Sequence, residues 1–185
     1  GAYAVEDDVT NLILPGSQGS SANTLAERSR ACVARYKLDL GNRYTLGLLA
    51  TGREADGYSN GVTGLDADLR LTDRDRIVVQ ALTSSTRYPD PLADEFGQPH
   101  DRFSDWASSL NYTHETRTWA SWLTWEDVGD DFRADLGFMP RVGYRWGEVG
   151  GQYLWTGDKD DWYSRMLLIA KVSDIRDQHG NLLEQ

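Results

Sequence analysis

Ala34-Arg35-Tyr36-Lys37-Leu38-Asp39-Leu40, then Gly41-Asn42-Arg43, then Tyr44-Thr45-Leu46-Gly47-Leu48-Leu49-Ala50 is the run that decides the fold. Ala34, Tyr36, Leu38 and Leu40 fall on one side of an extended chain and Arg35, Lys37 and Asp39 on the other, the period-two pattern of a half-buried strand. Tyr44, Leu46, Leu48 and Ala50 repeat the pattern. Keeping both apolar sets on one face requires a hairpin loop with an odd number of residues, so a three-residue loop fits and a two-residue loop does not.

The pattern continues outward. Residues 59–71 set Leu65, Ala67, Leu69 and Leu71 against Asn60, Asp66, Asp68 and Arg70, and after Thr72-Asp73-Arg74-Asp75 a β-branched strand runs from Ile77 towards Arg87. Pro89, Pro91, Pro99 and mixed charges predict a long surface loop at about 88–106. Residues 110–115 and 119–125 read as a tight strand pair. From 132 to 146 the even positions are Phe132, Ala134, Leu136, Phe138, Pro140, Val142, Tyr144 and Trp146, with Arg133, Asp135, Arg141 and Arg145 among the odd ones, which predicts one very long strand. Residues 152–155 and 162–171 supply two more. About nine strands are expected in the chain, with no amphipathic helix after residue 31. Residues 1–30 read as loop or a plug-like irregular segment, with a helical turn near 24–30.

Long strands with one apolar face must cover it with a second sheet, a helix layer or lipid, and the sequence offers no helix layer. The other face carries Arg35, Lys37, Asp39, Asn60, Asp66, Asp68, Arg70, Arg133, Asp135, Arg141 and Arg145, as a wet barrel lumen would. The reading is therefore all-β: an antiparallel up-and-down meander spanning 31–185, a partial transmembrane β-barrel in a bacterial outer membrane, with lipid as its partner. The seven tryptophans fall near strand ends, where aromatic girdles sit. A soluble β-sandwich binding carbohydrate through those rings is the alternative fold. The ending Asn181-Leu182-Leu183-Glu184-Gln185, after a polar turn at 177–180, starts another strand, so further strands or partner chains are expected to complete the barrel.

Charge and composition narrow the chemistry. A net charge of -10 argues against nucleic acid as a partner. Cys32 is the only cysteine, which excludes an internal disulfide and a cysteine-based zinc site. His100, His114 and His179 show no metal-binding spacing, and the acidic runs 126–131 and 158–161 lack the twelve-residue calcium-loop pattern. Asp66 and Asp68, about 7 Å apart along one strand, offer a carboxylate pair for a barrel-embedded hydrolase, although alternation beside Arg70 reads first as a salt-bridged wall. No nucleophile elbow or phosphate loop is present. No catalytic residue, cofactor or metal is assigned.

Val33-Ala34-Arg35-Tyr36-Lys37-Leu38-Asp39-Leu40-Gly41, Leu46-Gly47-Leu48-Leu49-Ala50-Thr51-Gly52-Arg53-Glu54, Asn60-Gly61-Val62 and Gly64-Leu65-Asp66 resemble the barrel portion of a bacterial family of unknown function. Asp131-Phe132-Arg133-Ala134-Asp135-Leu136-Gly137-Phe138-Met139-Pro140-Arg141 is similar to that family's Phe-x-x-(acidic)-x-Gly-Phe-x-x-Arg pattern. The resemblance covers about 31–171. It implies an outer-membrane barrel preceded, in the family, by a carbohydrate-binding-like sandwich (similar to family 9 modules) that residues 1–185 do not contain, and it carries no catalytic residues.

Overall fold

The structure is a computed structural model, and it describes residues 1–17, 19–25 and 27–184. In chain order the strands are β1 (Ala2–Asp7), β2 (Thr10–Gly16), β3 (Gly19–Leu25), β4 (Ser29–Leu40), β5 (Tyr44–Ala55), β6 (Tyr58–Arg70), β7 (Asp75–Arg87), β8 (Phe103–Glu115), β9 (Trp119–Val128), β10 (Tyr144–Thr156), β11 (Arg165–Asp177) and β12 (Leu182–Glu184). One helix, α1 (Asp90–Phe96), lies between β7 and β8. The fold is an all-β antiparallel meander: ten strands form one sheet in the order β1-β4-β5-β6-β7-β8-β9-β10-β11-β12, and β2-β3 form a separate hairpin. Among the described residues the sheet does not close on itself.

The alternation at 34–50 is realised in the register. Leu40 faces Tyr44, Leu38 faces Leu46 and Tyr36 faces Leu48 across a three-residue loop opened by Gly41 at φ 70°, a conformation glycine adopts at no steric cost. Register then carries both faces across the whole sheet. One row of facing residues runs Leu40, Tyr44, Leu69, Ile77, Tyr112, Leu123, Val149 and Val172, all on one face. On that face Tyr36, Leu48, Leu65 and Val172 are 60%, 51%, 60% and 68% exposed, so nothing among the described residues covers it.

The buried clusters lie on the opposite, polar face. Leu12 and Leu14 of the hairpin join Tyr58, Tyr88, Leu92 of α1 and Phe103, while Val62, Ala107 and Val128 on the wall meet Phe132 and Val142 of segment 129–143. The hairpin, α1 and that segment thus form a cap over one end of the polar face, the end remote from the 41–43 loop. The second sheet that a sandwich needs over the apolar face is not there among the described residues.

Several expectations are corrected. Residues 1–30 are mostly strand: β1 pairs with β4, Ala2 facing Ala34, and β2-β3 is a regular hairpin. In the span expected as a helical turn, Thr24 and Leu25 end β3 and Ser29 and Arg30 begin β4, while Ala26 lies outside the described residues. The surface loop at 88–106 contains α1, whose start has Pro89 and Pro91 at the first turn and whose end has Gly97 at φ 60°. The long strand at 132–146 is absent until Tyr144: Pro140 and Gly143, at φ 74°, break regular pairing, and the alternating apolar residues are spent on the cap. Twelve strands replace the expected nine or so.

Strand β10 begins eight residues earlier than its predicted core because Gly147, Gly150 and Gly151 carry no strand propensity of their own. Neighbouring aromatics supply what they lack. The Trp125 ring lies 3.4 Å from where a Cβ on Gly147 would be, and Trp122 covers Gly150.

Candidate functional site

Register puts Arg35, Lys37, Asp39, Asn60, Asp66, Asp68 and Arg70 on the polar face. Their pairing follows from the backbone. Arg35 on β4 reaches Asp66 on β6 at 2.5 Å by crossing β5 at Gly47, a position any side chain would block. Asp68 takes two hydrogen bonds from Arg76 on the next strand at 2.8 and 2.6 Å, and Asp39 accepts one from Thr45 at 2.7 Å. Asp66 and Asp68 are each paired with an arginine of their own, as a salt-bridged surface requires. The wall is a flat, ion-paired surface.

The other four expected wall residues lie elsewhere. Arg145 shares its face with Leu123 and Val149, at the margin of the apolar band, and donates to Asp127 at 3.1 Å. It was expected among the charges of the polar face and lies on the apolar face instead. Arg133, Asp135 and Arg141 belong to segment 129–143 and not to a strand. The Arg133 side chain bonds Gln98 Oε1 at 2.8 Å and lies over the Phe103 ring, while its backbone N–H donates to Ser84 Oγ at 3.1 Å. Arg141 lies over Tyr144.

Asp135 is the centre of the cap. Tyr58 donates to its carboxylate at 2.7 Å and Tyr88 at 3.2 Å, and its own backbone N–H donates to Asn60 Oδ1 at 3.2 Å. Asn60, buried on β6, also donates to Thr86 Oγ1 and to the Arg133 carbonyl, so one wall amide grips the segment at two points. Burial pushes the Asp135 carboxyl above its ordinary range, opposed by the two tyrosine hydroxyls and by the charges of Arg133 and Arg53.

A carboxyl whose folded value is raised favours the folded state below the ordinary aspartate range, and that contribution is lost as pH rises through the raised value. Asp135→Asn removes the titration. The variant's stability relative to wild type is therefore expected to rise with pH across that window and then level off. Thermal unfolding of both proteins from pH 3 to pH 8 checks the sign, and a deficit that grows with pH would refute it.

The composition-based sites stay dispersed. His114 Nδ1 meets Asp75 at 2.7 Å on the apolar face, His100 lies between Asp90 and Asp94, and His179 sits in the β11-β12 turn. Of the acidic run 126–131, Glu126 accepts from Tyr144 and Asp127 from Arg145. Among the described residues no three histidine, cysteine or carboxylate side chains converge as metal ligands.

What sequence reading missed is the polar face of β9 and β10. Trp122 lies flat over Gly150 and donates from Nε1 to Glu148 at 2.8 Å, and Lys171 on β11 bonds the other oxygen of Glu148 at 2.9 Å. The signal was the Trp122 and Gly150 pairing across two strands, invisible until register is known. Compared with protein-family models, with curated proteins and with solved structures, the chain matches none.

Proposed function

We propose that this sheet is part of the wall of a bacterial outer-membrane β-barrel, its apolar face against lipid and its polar face lining a capped lumen, serving transport or surface anchoring. The observation that carries the reading is the apolar band itself. Each of the strands from β4 to β11 presents about four apolar, aromatic or small outward residues in succession, a height of roughly 23 Å, close to the roughly 25 Å band of such barrels.

The band is also slanted. From the Leu40 to Val172 row it extends towards the capped end on β4 and β5, to Ala34 and Ala50, but away from it on β10 and β11, to Trp155 and Met166. Its charged margin moves the same way: Arg30 and Glu54 stand ten residues from the row, whereas Asp127 and Arg145 stand four from it and Asp174 two. A band displaced by six residues across seven strand steps becomes level only if the strands tilt about 30° from the membrane normal, near the range barrels require. A soluble sheet has no reason to move both margins the same way.

Covering that face with lipid removes the conflict of a bare apolar face opposite a buried polar one. Opposite the cap lie the loops at 41–43, 71–74, 116–118 and 157–164, none as long as the 88–102 and 129–143 connections at the capped end, so by the usual asymmetry the capped end faces outside the cell. The resemblance of residues 31–171 to a barrel-bearing family supports the same location. In a Cys32→Ser background, Leu65→Cys and Leu46→Cys are expected to resist a water-soluble maleimide in proteoliposomes and to carry lipid-quenched fluorophores, while Asp66→Cys reacts. Equal reactivity at positions 65 and 66 would overturn the reading.

A further inference from the structure

The geometry points to a saccharide-stacking site on the polar face, built on Trp122 and extended by Trp146. It rests on the lumen reading and names the class of ligand that the lumen would take. Trp122 is fixed before any ligand arrives: its indole lies over Gly150, where a Cβ would fall 2.3 Å from ring atom Cζ2, and its N–H is already committed to Glu148. What remains to offer is the open part of the ring, since Trp122 is only half-buried. Trp146 lies on the same face of β10, four residues nearer the cap, about 13 Å along the strand.

The flanking groups choose the ligand. Glu148, at the Trp122 ring edge, is held by Lys171, and Glu126, facing Trp146 in register, accepts from Tyr144, so a tethered carboxylate accompanies each tryptophan. Anionic ligands such as nucleotides meet two carboxylates and a chain of net charge -10. A hydrocarbon would leave those carboxylates desolvated and unpaired. A pyranose suits both features, since its C–H face stacks on an indole while its hydroxyl rim donates to carboxylates and accepts from lysine. The ligand is therefore a neutral oligosaccharide, long enough to meet both rings.

The test is calorimetric titration of the full chain, refolded in detergent, with maltohexaose, cellohexaose and laminarihexaose. At least one is expected to bind saturably, and Trp122→Ala and Gly150→Val are each expected to weaken it about tenfold, the loss of one stacking contact. Trp119→Ala, on the opposite face, is expected to leave binding unchanged, and circular dichroism identifies any variant that fails to fold. No binding of any of the three sugars, or wild-type binding by a folded Trp122→Ala or Gly150→Val protein, overturns the inference. Quenching of tryptophan emission by dibrominated lipid separates the two readings. Quenching without sugar binding leaves the barrel standing and removes the site. Sugar binding without quenching leaves a glycan-binding wall and removes the lumen.

Discussion

Leu48→Arg is expected to cost about 2–4 kcal/mol of folding stability in lipid vesicles, the depth-dependent penalty for a cation on the lipid face of a barrel near the bilayer midplane. Leu48 is 51% exposed and stands inside the apolar band, between Leu46 and Ala50 on β5. In water the same change at so exposed a position would shift stability by no more than about 0.5 kcal/mol. The two environments therefore predict different outcomes from one substitution. Thr45→Arg is the control: it sits on the polar face of the same strand, beside Asp39 and opposite Asp68, where a new cation finds partners. Urea unfolding in vesicles, followed by the loss of strand signal, is expected to show a large drop for Leu48→Arg and almost none for Thr45→Arg. Equal, small effects would mean that water, not lipid, covers the band.

The parts of the fold that were legible before the structure are those in which local pattern and tertiary role agree. β4, β5 and β6 alternate because within the band one face is apolar and the other polar, so period two is legible at 34–40, 44–50 and 65–71, with Leu49 the exception. The parts that were illegible are those in which a second rule intervened. β10 hides behind glycines whose missing side chains are replaced by Trp122 and Trp125 from β9, a contribution that no window on β10 alone contains. Segment 129–143 alternates like a strand, yet its even residues Phe132 and Val142 fill a cluster on the wall and its odd residues Arg133 and Asp135 fasten it to Gln98, Tyr58 and Tyr88. Alternation reports which side chains are apolar, and several backbone paths satisfy the same order.

The same distinction explains the candidate site. Arg35 and Asp66 were legible as wall charges, but their pairing across an intervening strand depends on Gly47 lying between them in register. Arg145 was misplaced because it was counted on from 132 in one unbroken strand, and the true start of β10 at Tyr144 pairs it instead with Asp127 at the band's charged margin.

Phe132→Ala is expected to carry the largest cost in the cap, about 3–5 kcal/mol, since it removes a ring that is 0% exposed and packed with Val62, Ala107, Val128 and Val142. The consequence is local opening before it is global unfolding. Phe132 is next in sequence to Arg133, whose backbone N–H reaches Ser84, and three residues from Asp135, so a cavity at 132 loosens every bond that ties segment 129–143 to the wall. The strand ladder from β4 to β8 does not run through this segment and keeps its hydrogen bonds. Trypsin is the direct probe, because Arg133 is 4% exposed in the closed cap and becomes cleavable only when the segment lifts. Cleavage after Arg133 is expected to accelerate by two orders of magnitude or more, on the scale that about 3 kcal/mol sets, while strand content stays at the wild-type level. Protection of Arg133 equal to wild type would show that the ring is not what closes the cap, and simultaneous loss of strand signal would show that cap and wall unfold as one unit.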